Sequence, residues 1–112
     1  MTNHSETDKK PICGFIGLGA MGLGMAKNIR ANFYDLVVMG RKNRAPVDLL
    51  LKMGATEVKT PMMMAERCDV IILCVTGSSE VSDILSGKDG IFAARRRPDQ
   101  LPLRIIDCST SD

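Results

Sequence analysis

A chain of 112 residues that is 45% hydrophobic and 4% aromatic, with no Trp, has room for one domain with an aliphatic, Met-filled core and no second independent unit. Its 15 Lys and Arg against 13 Asp and Glu leave a formal charge of +2, too balanced for bulk attraction to nucleic acid or to a membrane surface. The longest apolar run, Val70 to Val75, is far short of the roughly 20 residues a membrane span needs, and Met1 to Lys10 lacks the character of a signal or transit peptide, so a cytoplasmic location is expected.

Residues 1 to 10 are polar and mixed in charge and are expected to form a disordered leader. His4, the sole histidine, falls in it and lacks the rigid setting a ligand or catalytic role would need. From Ile12 onward, short apolar runs alternate with longer helix-like segments. Strands are expected over Pro11 to Ile16, Asp35 to Met39, Thr56 to Lys59, Asp69 to Val75, and Leu103 to Asp107. A first helix is expected over Met21 to Ala31. A second runs from Pro46 to Met53, with Val47, Leu50 and Leu51 on one face and Gly54 as its stop. Thr60-Pro61 supplies an N-cap and a first-turn proline for a third through Arg67. A fourth spans Ser78 to about Gly87, and a short one follows Gly90.

Helices feeding parallel strands cross over right-handedly, so this order predicts an α/β fold. The expected form is a doubly wound parallel Rossmann-type sheet of five strands ordered 3-2-1-4-5. The fifth strand becomes an edge, expected to be uncovered and prone to associate with a second copy.

The first strand runs into Gly17-Leu18-Gly19-Ala20-Met21-Gly22, a G-x-G-x-x-G at a strand-to-helix junction. Gly17 allows the tight turn, Gly19 lets the backbone approach a pyrophosphate, and Gly22 lets helix and strand pack closely. The helix N-terminus beyond them offers unpaired N–H groups and partial positive charge to phosphates. A structural glycine turn and a methyltransferase loop are the alternatives. The apolar strand before the motif and the second strand at βαβ spacing favour a dinucleotide.

The end of the second strand decides which one. An NAD site places Asp or Glu there for the ribose 2′-hydroxyl, whereas an NADP site offers cations to the 2′-phosphate. Here the residues are Gly40-Arg41-Lys42-Asn43-Arg44, and Asp35 lies at the wrong end of the strand. Arg41, Lys42 and Arg44 therefore favour NADP(H) over NAD(H), since a guanidinium grips phosphate through paired charged hydrogen bonds.

Other features read as structural. Cys13, Cys68, Cys74 and Cys108 have no metal-like spacing and are expected to be buried thiols. Met62-Met63-Met64 points three ways on a helix and is expected to pack. Arg95-Arg96-Arg97 has no interleaved aromatics and is expected to be a solvated loop.

Three segments carry a resemblance that spans Ile12 to Asp112. Gly14-Phe15-Ile16-Gly17-Leu18-Gly19-Ala20-Met21-Gly22, extended through Met25-Ala26-Lys27-Asn28, is one. Cys74-Val75-Thr76-Gly77-Ser78-Ser79-Glu80-Val81 and Asp107-Cys108-Ser109-Thr110 are the others. Together they resemble the β-hydroxyacid dehydrogenase family, which includes 3-hydroxyisobutyrate dehydrogenase and tartronate semialdehyde reductase.

The resemblance implies that Val75 and Thr76 place backbone beside the nicotinamide ribose. It also implies that Ser109 binds the substrate carboxylate and that Thr110 contacts the cofactor. The implied small-molecule substrate is a β-hydroxyacid or its semialdehyde, reduced or oxidised by hydride transfer. Family members continue into a helical domain that supplies the catalytic lysine. None of the lysines at positions 9, 10, 27, 42, 52, 59 and 88 matches that motif. The expectation is thus a truncated NADP(H)-binding part, catalytically incomplete by itself, and the alternative is a non-catalytic NADP(H)-binding module.

Overall fold

The computed structural model describes residues 10–40 and 44–109. The first strand, β1 (Cys13–Ile16), is followed by helix α1 (Ala20–Ala31), β2 (Leu36–Met39) and α2 (Ala45–Lys52). Then come β3 (Thr56–Val58), α3 (Pro61–Arg67), β4 (Val70–Leu73) and α4 (Ser78–Ser86). A 3₁₀ turn (Ile91–Ala93) leads to β5 (Arg104–Asp107).

The strands form one parallel sheet in the order β3-β2-β1-β4-β5, as the alternation of elements requires. The register sets Cys13 beside Leu36 on one side and beside Val70 on the other. The ladders are shorter than the apolar runs. Beyond Leu73, for example, Cys74 still donates to the Ile16 carbonyl at 2.8 Å, but Val75 turns its N–H elsewhere.

Side chains alternate across the sheet and build a core on each face. Phe15, Val38 and Ile72 meet Ala26 of α1 and Val47 and Leu50 of α2 on one side. On the other, Ile16, Val37, Ile71 and Leu73 meet Met64 and Ala65 of α3 and Ile84 of α4. Gly14 belongs to this second face, where a Cβ would come within 2.6 Å of the Met64 sulfur. The bare position in the central strand is what lets α3 lie this close.

Thr60 caps α3 as its residue type predicts, its hydroxyl accepting from the Met63 N–H at 3.1 Å. Met64 is fully buried while Met63 is 40% exposed, so the methionine run divides between core and flank.

Two expectations need correction. Arg96 is not solvated. Its guanidinium donates to the carbonyls of Ala65 (2.6 Å) and Cys68 (2.7 Å) and to that of Leu101, closing the open end of α3. Arg95 and Arg97 stay near the surface, the latter paired with Asp99. Of the four thiols only Cys13 and Cys68 are buried; Cys74 is half-buried and Cys108 exposed. Cys108 follows an edge strand that the described residues do not cover: all four residues of β5 are exposed, Ile106 by 49%.

No helix among the described residues is long and apolar enough to cross a membrane. Apart from Lys10, the expected leader lies outside the described residues, as does His4.

Candidate functional site

The glycine loop leaves β1 at its carboxyl end, and each glycine meets a different constraint. Gly17 has φ +103°, a left-handed conformation that L side chains avoid, and a Cβ there would overlap the Cys74 carbonyl. Gly22, in the first turn of α1, lies against the Gly17 carbonyl and 3.2 Å from the Phe15 ring at the Cβ position, leaving no room for a side chain. Gly19 faces open space: a Cβ would meet nothing within 4 Å.

Gly19 is also the N-cap of α1. The first helical hydrogen bond runs from Leu23 N–H to the Gly19 carbonyl at 2.7 Å. The N–H groups of Ala20, Met21 and Gly22 therefore have no acceptor within the helix. No acidic residue occupies this first turn, so the partial positive charge of the helix end is not neutralised locally. Leu18 packs its side chain into the α1/α2 core and offers only backbone to a ligand, whereas Met21 is 62% exposed.

A depression of about 200 Å³ opens at this point, lined by Gly19 to Gly22, Cys74, Val75, Thr76 and Cys108. A second, of about 260 Å³, shares Gly19 and the Cys74–Thr76 stretch with it and adds Gly17 and Glu80. Glu80 also lines a third, of about 460 Å³, that reaches Met39 at the end of β2. The three follow the carboxyl ends of β4, β1 and β2, the crevice in which doubly wound sheets bind ligands. Another hollow, of about 330 Å³ around Pro11, Asp69 and Arg104, lies at the opposite ends of the strands. A diphosphate fits the first group of hollows, because Gly19 leaves backbone amides accessible beside a helix N-terminus.

The segments that follow β4 and β5 are joined here. The Ser109 hydroxyl accepts from the Val75 N–H at 3.0 Å, across 34 residues of sequence. Ser109 N–H in turn donates to Asp107 at 2.9 Å. Hydrogen bonds from the Ser109 backbone and hydroxyl hold the Asp107 carboxyl below its ordinary range. The residue the resemblance gives to substrate is thus fastened to one it gives to cofactor.

Arg41, Lys42 and Thr110 lie outside the described residues. Arg44 is placed, at the N-cap of α2, and it is not open to solvent contacts alone. Its Nη1 is 2.6 Å from Glu57 Oε2 and its Nη2 is 3.0 Å from Oε1, a two-pronged pair, with Asp48 Oδ1 at 3.5 Å. The expectation that no carboxylate stands at the end of β2 is therefore corrected: β3 supplies one from the side. Hydrogen bonding to Arg44 holds the Glu57 carboxyl below its ordinary range, and the same contact raises Arg44. Sequence reasoning missed Glu57 because its approach depends on strand register, which sets Val38 beside Glu57.

The family described as the NAD binding domain of 6-phosphogluconate dehydrogenase matches residues 12–112. A probable mitochondrial 3-hydroxyisobutyrate dehydrogenase of Arabidopsis thaliana is 36% identical over 99 residues, 88% of this chain and 28% of that protein. The cytokine-like nuclear factor N-PAC of Homo sapiens is 32% identical over 92 residues, 82% of this chain and 16% of that protein. The chain thus spans under a third of the length of either relative.

Among solved structures, the imine reductase of Myxococcus stipitatus with NADP+ superposes with a TM-score of 0.64 at 26% identity. That match covers 70% of this chain and 27% of the reductase. Its V8 variant with NAD+ gives 0.63 at 27% identity, covering 69% and 27%.

Proposed function

The chain belongs to the family of the NAD binding domain of 6-phosphogluconate dehydrogenase, and from that premise we propose that it holds NADP(H) in preference to NAD(H) as the cofactor part of an oxidoreductase. The proposed substrate is a small β-hydroxyacid or its semialdehyde. The observation that carries the reading is the division of labour in the loop. Gly17 and Gly22 are closed by packing, while Gly19 alone is open, at a helix end with unsatisfied amides.

In this reading the amides of Ala20, Met21 and Gly22 bind the diphosphate, and Val75 and Thr76 border the nicotinamide end. Arg41 and Lys42 supply charge for a 2′-phosphate. Thr110 adds a cofactor contact, and Ser109 orients the substrate carboxylate. A bound nicotinamide supplies the hydride; the chain contributes position, since transfer requires near-attack geometry.

Calorimetric titration of the chain with NADPH and NADH tests this. Binding of both, NADPH the tighter, is the expected result, and failure to bind either overturns it. A second reading, a cofactor-binding module without turnover, is favoured by the relative whose name is that of a nuclear factor. Cofactor binding by the full-length protein with no oxidation of any β-hydroxyacid would select it.

A further inference from the structure

The end of β2 is where Rossmann-type sites choose between a ribose 2′-hydroxyl and a 2′-phosphate. In this chain that position is Gly40, and the space its side chain would fill is occupied. A Cβ on Gly40 would collide with Glu57 Oε2 and Arg44 Nη1. The carboxylate that an NAD site carries on its own strand is here delivered from the next strand, already clasped by a guanidinium.

That clasp uses both prongs of Arg44. Nη1 and Nη2 each hold one oxygen of Glu57, and Nη2 also leans toward Asp48. Among the described residues one cation, Arg44, faces the two carboxylates of Glu57 and Asp48, and the charge of Lys59 also acts on Glu57. A phosphate bearing nearly two negative charges gains nothing from a guanidinium so engaged. It must displace Glu57 from the fork and then lie beside the freed carboxylate.

We propose that Glu57 is a specificity-determining residue. It withholds Arg44 from a 2′-phosphate and sets a hydrogen-bond acceptor where a ribose 2′-hydroxyl is recognised, so that any preference for NADP(H) conferred by Arg41 and Lys42 is restrained from β3. The inference rests on the cofactor reading above and adds to it the residue that limits cofactor choice.

The test is calorimetric binding of NADPH and NADH to the chain and to Glu57→Gln, which keeps the size of the side chain and removes its charge. NADPH is expected to bind about tenfold more tightly to the variant, equivalent to ~1.4 kcal/mol, with NADH changed by less than about threefold. In the double variant Glu57→Gln/Arg44→Gln the gain is expected to vanish, because the freed guanidinium is its source. Glu57→Thr, a residue suited to strands, repeats the measurement should Gln disturb the edge.

An unchanged or weaker affinity for NADPH in Glu57→Gln overturns the proposal, as does a gain that survives loss of Arg44. If the unaltered chain binds neither nucleotide, the cofactor reading itself fails and takes this inference with it. Binding by the unaltered chain without any response to Glu57→Gln sinks this inference alone.

Discussion

Replacing Gly19 and Gly22 separately by Ala separates ligand approach from packing. Gly19 has φ −67° and ψ −175°, extended backbone that any residue adopts, and open space at its Cβ. Ala is a poorer N-cap than Gly, a cost of up to ~1 kcal/mol, but it lowers the entropy of the unfolded chain by a gain of ~0.4–1 kcal/mol. Gly19→Ala should therefore melt within a few degrees of the parent.

The new methyl would stand where a diphosphate must come to reach the helix amides. Losing one such charge-assisted hydrogen bond removes ~1.5–3 kcal/mol, which is roughly 10- to 100-fold in NADPH affinity. Gly22→Ala does the reverse. Its methyl overlaps the Gly17 carbonyl and presses on Phe15, which is fully buried and cannot yield. Overpacking of this kind costs ~3 kcal/mol, a fall of roughly 10–20 °C in melting temperature. Thermal melts by circular dichroism and NADPH titration, run on both variants, read the two effects. If Gly19→Ala binds NADPH within twofold of the parent, the loop does not grip a diphosphate. If it melts as low as Gly22→Ala, the reading of Gly19 as free of packing is wrong.

Arg96→Ala removes the donor to two carbonyls at the end of α3 and to that of Leu101, and a loss of ~2–3 kcal/mol is expected; a denaturant midpoint equal to the parent's would refute the capping role. Burial pushes the Cys68 thiol up to about 12 and also raises Cys13. A thiol reagent at pH 8 should accordingly label exposed Cys108 first and leave Cys13 and Cys68 until unfolding; early mass shifts on either buried thiol would contradict this. The carboxyls of Glu57 and Asp107 are held below 4.5 and 3.8, their ordinary values. Each depressed group contributes stability above its unfolded value that is lost as pH falls through the folded one. The melting temperature should hold from pH 7 to about 5 and drop below about 4, less steeply in Glu57→Gln, and an unaltered slope in that variant would show the pair to be without effect.

Much of this fold could be read from the chain because its determinants are close in sequence. Gly17 and Gly22 constrain each other across five residues. Thr60 caps the helix that Pro61 begins, and the apolar runs of β1, β2 and β4 are continuous because both faces of those strands are buried. The expected strand order follows from the same local alternation, given right-handed crossovers. Where the sequence misled, the partner was remote. The sequence does not say that Arg96 turns inward while Arg95 and Arg97 do not, since the two acceptors at the end of α3 lie 28 and 31 residues back.

The site divides along the same line, and the division has a physical cause. Binding a diphosphate needs backbone amides and room, which one loop supplies by itself. Choosing between two ribose substituents needs charges placed to within an ångström or so, and a parallel sheet brings those from different strands. Gly40 illustrates this: in sequence it is one more loop glycine before three cations, and in the sheet it is the gap through which Glu57 reaches Arg44. The Ser109 hydroxyl on the Val75 N–H likewise joins segments that follow two different strands. A glycine motif thus reports that a nucleotide binds, while its identity is written in strand register, and a variant that alters register without touching the loop should change selectivity before it changes binding.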